Sequence, residues 1–265
     1  MPEFSGYGLD INTNTMAWTW SLQGLYESGG NGFTLSDSAL FHGILFLVYT
    51  LSTYSLSILI QRYPKWKPPA FMDTIKRLHN IALSAVSLGM GIVMIRATYL
   101  DGRYASWTSM ACQNTPNEGL YGAANFAYLL SKIWEWADTY FLSLYGKRVI
   151  PLHFFHHMTT FTMAALTHNF PVGGFAWINC LVHFVMYFHY AYPVRWARQF
   201  ITSFQLIQFV TVITVHTYGY FTGCFDFSNL GIEWWYCQGV VVVYFLLFVK
   251  FYIDNYISPP KIKRT

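Results

Sequence analysis

Residues 153–160 read His153-Phe154-Phe155-His156-His157-Met158-Thr159-Thr160. On a helix the three histidines fall at i, i+3 and i+4, which is one face. The chain around them is apolar, so the imidazoles need a reason: metal ligation, catalysis or packing. Which reason applies depends first on what surrounds the stretch. The chain of 265 residues is 54% hydrophobic, 20% aromatic and only 11% charged, well under the roughly 25% charged content of soluble domains. Several apolar runs approach the ~20 residues that a helix needs to cross a hydrocarbon core. The expected fold is all-α, a polytopic membrane protein with the lipid bilayer as its first partner.

Seven spans are expected, at 41–60, 78–98, 121–143, 150–168, 172–193, 199–220 and 234–256. Lys and Arg of short loops mark the cytosolic side of a membrane protein, and they test this count. Residues 1–40 carry none. The first connection carries Arg62, Lys65, Lys67, Lys76 and Arg77, the third Lys147 and Arg148, and the fifth Arg195 and Arg198. The C-terminal end carries Lys250, Lys261, Lys263 and Arg264. Of the 16 basic residues only Arg96, Arg103 and Lys132 fall elsewhere. The alternation supports seven spans with the N-terminus outside and the C-terminus in the cytosol. It also accounts for the net charge of +4, so no nucleic-acid partner is needed. The chain then divides into a non-cytosolic segment 1–40, a helical domain 41–256 and a cytosolic tail 257–265. No cleavable leader is expected, because residues 1–30 lack Lys and Arg and any compact apolar core before a small-residue site. The lysines at 261 and 263 resemble the dilysine retrieval signal of endoplasmic-reticulum membrane proteins.

Cys112 and Cys224 fall in loops assigned to the non-cytosolic side, where disulfides persist. They are the expected pair, with Cys237 as the rival partner and free buried thiols as the alternative.

Polar residues inside spans carry the most information, because ionisable groups at membrane depth face a cavity or a partner. The third span holds Lys132, Glu135, Asp138 and Thr139, its three charges at successive i, i+3 steps. In the fifth, Asn179, Val182, His183, Met186, Tyr187 and Tyr190 form one stripe. The sixth repeats Thr202, Gln205 and Gln208 every three residues. With the expected topology these clusters and His153, His156 and His157 share the middle and cytosolic part of the bilayer, as one polar chamber open to the cytosol. Each has a plainer reading. Lys132 and Glu135 form a neutralised pair, Gln205 and Gln208 are interhelical glue, and Met186 is packing or acyl-chain lining. His42, His79, His168 and His216, each alone, read as hydrogen-bonded or interfacial. A triple-histidine face converging on two acids and a lysine is harder to explain by structure alone.

These residues carry a family resemblance. HFFHH matches an HxxHH box, Lys132–Thr139 fits KxxExxDT, Asn179–Tyr190 fits NxxVHxxMYxYY and Thr202–Phe209 fits TxxQxxQF. In the order and spacing of all four, the sequence resembles the ELO family of fatty acid elongases, the very-long-chain 3-oxoacyl-CoA synthases. The match is close over 125–210 and looser over the seven-span outline. One departure is His189, where the family usually has the first tyrosine of the terminal pair.

The resemblance implies condensation of an acyl-CoA with malonyl-CoA, with loss of carbon dioxide, in a seven-helix fold holding a slot for the acyl chain. It implies no cofactor, the two CoA esters being substrates. Cys180 lies off the polar stripe, so a neutral imidazole is the available nucleophile, and the acyl group is placed on His156. His183, His157 and His153 would position groups, relay protons or stabilise oxyanion charge, and Glu135 and Asp138 would orient histidines. Lys132, Lys147 and Arg148 are candidates for the anionic parts of the CoA substrates. Asn179, Met186, Tyr187, Tyr190, Thr202, Gln205 and Gln208 would line the substrate site. The other enzymes of an elongation cycle are expected partners, and the oligomeric state, a homo-oligomer included, is open. Two rival readings remain. A di-iron desaturase or hydroxylase needs several histidine boxes, because open-site iron takes a full ligand set, and this chain has one. A seven-span receptor shares the topology and leaves the charged cluster unexplained.

Overall fold

A computed structural model describes residues 39–63, 65–113, 115, 119–167, 175–194, 196–224 and 232–258. The expected N-terminal segment up to residue 38 lies outside the described residues, as do His168, Arg195 and the tail with Lys261 and Lys263. All regular elements among the described residues are helical. In order they are α1 (Ala39–Arg62), α2 (Phe71–Leu100), a 3-10 turn (Arg103–Ala105), α3 (Trp107–Cys112), α4 (Gly119–Trp134), α5 (Trp136–Leu144), α6 (Pro151–Thr167), α7 (Ala176–Ala191), α8 (Ala197–Phe221) and α9 (Ile232–Tyr252), the last running into a π turn (Ile253–Ile257).

Among the described residues, four stretches are long and apolar enough to cross a membrane: Leu40–Arg62, Phe71–Leu100, Ala197–Phe221 and Trp234–Ile257. The other expected spans come out differently. The run 121–143 is two helices, broken at Glu135, where the Asp138 amide bonds back three residues to the Glu135 carbonyl. Helices α6 and α7 have 17 and 16 residues, and a rise of 1.5 Å per residue makes them roughly 25 Å long. That is short of a ~30 Å hydrocarbon core. Both carry histidines of the polar interior, and their neighbours enclose them.

The packing closes a ring. Helix α4 contacts α2, α2 contacts α7, and the chain of contacts continues through α8, α9 and α6 back to α4. Helix α1 lies outside this ring, against α5 and α6. A row of hydroxyls ties it there: Tyr49 to Thr139, Ser52 to Tyr140 and Ser57 to Ser143. Large apolar side chains such as Leu51 on α1 and Phe200, Phe204 and Ile207 on α8 point outward, while Lys132, Glu135, His157 and His183 are buried. Polar groups inside and apolar groups outside is the arrangement a lipid-facing bundle requires.

The α5–α6 reversal positions much of the interior. Gly146, at φ +63°, lets the Gly146 and Lys147 amides donate to the Ser143 and Leu142 carbonyls, a Schellman closure that only an αL residue permits. Pro151 then opens α6, where its missing N–H is no loss. The turn returns the chain so that Thr139 meets His153 at 3.0 Å.

Cys112 and Cys224 form a disulfide, with Cα atoms 5.0 Å apart, while Cys180 stays a buried thiol. The bridge joins the end of α3 to the end of α8 across a sequence separation of 112 residues. Loop-closure entropy for so long a loop corresponds to roughly 4–5 kcal/mol. Cys112→Ser is therefore expected to lower the thermal midpoint by several degrees and to abolish the mobility difference between reduced and unreduced protein on denaturing gels.

Candidate active site

The ring of helices encloses a cavity of about 520 Å³. Its wall draws on the first turns of α2, α6 and α8 and the last turns of α5, α7 and α9. Lys76, Lys147, Arg198 and Tyr256 stand at that end. Of the α6 histidines, His153, His156 and His157 all line the cavity. Helix α7 contributes Asn179, His183, Met186 and Tyr190, and α8 contributes Thr202, Gln205 and Gln208. Asp138 and Lys147 also reach the wall.

Behind the wall lies a buried charge network. Lys132 Nζ donates to Glu135 Oε1 at 2.8 Å and to Asn179 Oδ1 at 3.2 Å. His183 Nδ1 meets the same Glu135 oxygen at 3.2 Å. The Tyr128 hydroxyl donates to Asn179 Oδ1, and Asn179 Nδ2 donates to Gln208 Oε1 at 3.4 Å. Lys132 and Glu135 are 2% and 1% exposed at the side chain, so neither charge is screened by water. Glu135 accepting at Nδ1 holds the proton of a neutral His183 on that nitrogen and leaves Nε2 as the basic one.

Asp138 serves a different group. One carboxylate oxygen pairs with His79 Nε2 at 3.1 Å and the other accepts from the Tyr187 hydroxyl at 2.6 Å. The break at Glu135 separates the two acids, so Glu135 faces α7 and Asp138 faces α2 and α7. His153 is held by a hydroxyl instead, Thr139 Oγ1, itself bonded to Tyr49. The Trp136 indole donates to the His157 carbonyl. The Tyr244 hydroxyl donates to the His156 carbonyl at 3.3 Å, and its ring lies 5.1 Å from that imidazole. His156 itself makes no side-chain hydrogen bond among the described residues. Its ring stands 6.4 Å from that of His183 and 5.1 Å from that of His157.

Four expectations need revision. Lys132, expected near the anionic end of a substrate, is instead neutralised inside the protein, because burial makes an unpaired ammonium too costly. Asp138 orients His79 rather than an α6 histidine. Tyr187 does not line the cavity, being fully buried beneath Asp138. Arg148 is exposed and away from the wall. His189, the departure from the family pattern, is 6% exposed and accepts the Val194 amide at Nδ1, closing the turn after α7. The isolated histidines are hydrogen-bonded: His42 to Thr162, His79 to Asp138 and His216 to Gln238.

Residues missed by sequence reading are Lys76, His79 and Asn80 on α2, with Tyr49 and Tyr244. The first three stand at i, i+3 and i+4, a readable pattern masked by the basic loop beside it. Tyr244 sits in the uniformly apolar run Val240–Phe248, which offers no periodic signal.

A model of the ELO: GNS1/SUR4 family matches residues 34–264. The chain belongs to that family. It is 28% identical to the mouse protein named very long chain fatty acid elongase 2, over 98% of this chain and 89% of the relative. It is 28% identical to fatty acid elongase A of Dictyostelium discoideum, over 84% and 88%. Human very long chain fatty acid elongase 4 is 28% identical over 81% of this chain and 73% of its own length. The four motif segments read from the sequence supply much of the cavity wall and of the network behind it.

Removing one partner of the buried pair strands the other. Lys132→Met is expected to destabilise the protein by about 3–5 kcal/mol, read as a fall in thermal midpoint in detergent. The double variant Lys132→Met/Glu135→Gln should recover part of that loss.

Proposed function

We propose that the protein is a condensing enzyme of fatty acid elongation, joining a long-chain acyl-CoA to malonyl-CoA to give a 3-oxoacyl-CoA two carbons longer. The observation that carries this reading is His156. Its imidazole lines the cavity with no hydrogen-bond partner among the described residues, beside a His183 whose tautomer Glu135 holds. An imidazole with free nitrogens is a nucleophile in waiting. Attack on the acyl thioester breaks the C–S bond. The proton of the attacking imidazole passes to the departing sulfur through His183 or His157, leaving an acyl-imidazole and free CoA. Decarboxylation of malonyl-CoA breaks its C–COO⁻ bond, and the freed electron pair becomes an enolate. Its carbon attacks the acyl group, the C–N bond breaks, and the imidazole regains a proton from water.

Basic groups at the cavity end, Lys147 and Arg198, suit the phosphates of CoA. The same reading takes the bundle to have seven spans, counting α4 and α5 as one, with its chamber open to the cytosol. The N-terminus is then lumenal and the tail cytosolic, in the endoplasmic-reticulum membrane. No metal or other cofactor is required, and the other enzymes of an elongation cycle are the natural partners.

His156→Ala is expected to abolish both a mass-detectable acyl adduct and incorporation of labelled malonyl-CoA, across a panel of acyl-CoAs. Full turnover in that variant, or stoichiometric iron in the active purified protein, overturns the reading.

A further inference from the structure

We propose that Asn80 of α2 is the hydrogen-bond donor to the thioester oxygen of malonyl-CoA, where charge collects as carbon dioxide departs. This rests on the elongase reading and adds a catalytic residue that none of the four motifs contains.

Asn80 is 2% exposed, yet its side chain reaches the cavity wall. Its amide makes no hydrogen bond among the described residues. An amide that opens on a cavity with no protein partner is free to bond a ligand there. The other amides on the wall are engaged: Asn179 donates to Gln208, and Gln205 contacts the Met186 sulfur.

The surroundings hold Asn80 in place. Its chain neighbour His79 is clamped by Asp138, which Tyr187 also grips. One turn on, Ser84 donates to the Phe184 carbonyl at 2.9 Å. The Ser84 tie joins α2 to α7 beside His183, which stands 6.4 Å, ring to ring, from His156, and the His79 tie joins α2 to α5 and, through Tyr187, to α7. Asn80 lies on α2 between these ties and shares the cavity wall with His156 and His183, and a preorganised donor there stabilises developing oxyanion charge without reorganising.

Charge separates this role from CoA binding. The cations on the wall lie at its end, and Lys147 and Arg198 are exposed there. The half-buried Lys76 stands one turn from Asn80 toward that end, its ammonium 5.1 Å from the Tyr145 ring centre. A neutral donor suits the reacting carbons better than a cation, which would stabilise the malonyl carboxylate and oppose its loss. When the C–COO⁻ bond breaks, its electron pair delocalises onto the thioester oxygen, the atom Asn80 Nδ2 would hold.

The two half-reactions test this. Wild-type protein is given acyl-CoA alone to form the adduct, then malonyl-CoA in a single turnover. Asn80→Asp keeps the shape and removes the donor, and Asn80→Ala is a smaller, uncharged second variant with no donor. Both are expected to form the adduct at the wild-type rate and to fall about 10²-fold in condensation, with the KM for malonyl-CoA changed only a few-fold. Condensation at near wild-type rate in either folded variant, or equal loss of adduct formation, overturns the assignment. Absence of an adduct in the wild-type protein would instead sink the elongase reading itself.

Discussion

The interior depends on one buried ion pair. Lys132 and Glu135, one turn apart, are both sealed from water, and each makes the other tolerable there. Their pairing supplies more than neutralisation. Lys132 also fixes Asn179, and through it Gln208, while Glu135 fixes His183. Three helices, α4, α7 and α8, are registered around two charges. A buried pair is weak as a source of stability, since desolvation offsets much of the Coulomb attraction. Its value here is geometric, because it ties polar groups of α4, α7 and α8 into one arrangement.

Around that centre the bundle reverses the soluble pattern. Its outer helices present apolar side chains, and the ring from α2 to α9 leaves a cavity instead of a solid core. Two helices that line the cavity, α6 and α7, are short. Shortness is acceptable where neighbours supply the enclosure, and it lets loop geometry at Gly146 and after His189 set which groups face inward. Two sets of side chains result. His156 and Asn80 face the cavity without hydrogen-bond partners among the described residues, whereas His153, His183 and Asp138 are held by bonds that fix their orientation.

Sequence periodicity made much of this legible. The stripes on α6, α7 and α8 converge on one wall, as helical spacing implied, and apolar run length located the four long spans. Reading the third span as continuous failed, because apolar pattern does not reveal an interruption in a hydrogen-bond ladder. The role given to Lys132 failed for a related reason. Spacing showed that an acid lay one turn away, but only the depth of burial decided that the pair closes on itself. His79 looked unremarkable until α2 packed beside α5.

By itself the sequence determined that the chain is helical and lipid-facing, which residue types share each helix face, and which four motifs mark its family. Those follow from local rules of spacing, hydropathy and charge, which a single strand of residues carries. Tertiary structure decided which acid serves which histidine, and that Asn80 and His156 stand on the cavity wall without hydrogen-bond partners among the described residues. Such pairings join residues tens of positions apart, and they arise only when the ring of helices closes and buried polar groups must find partners or do without.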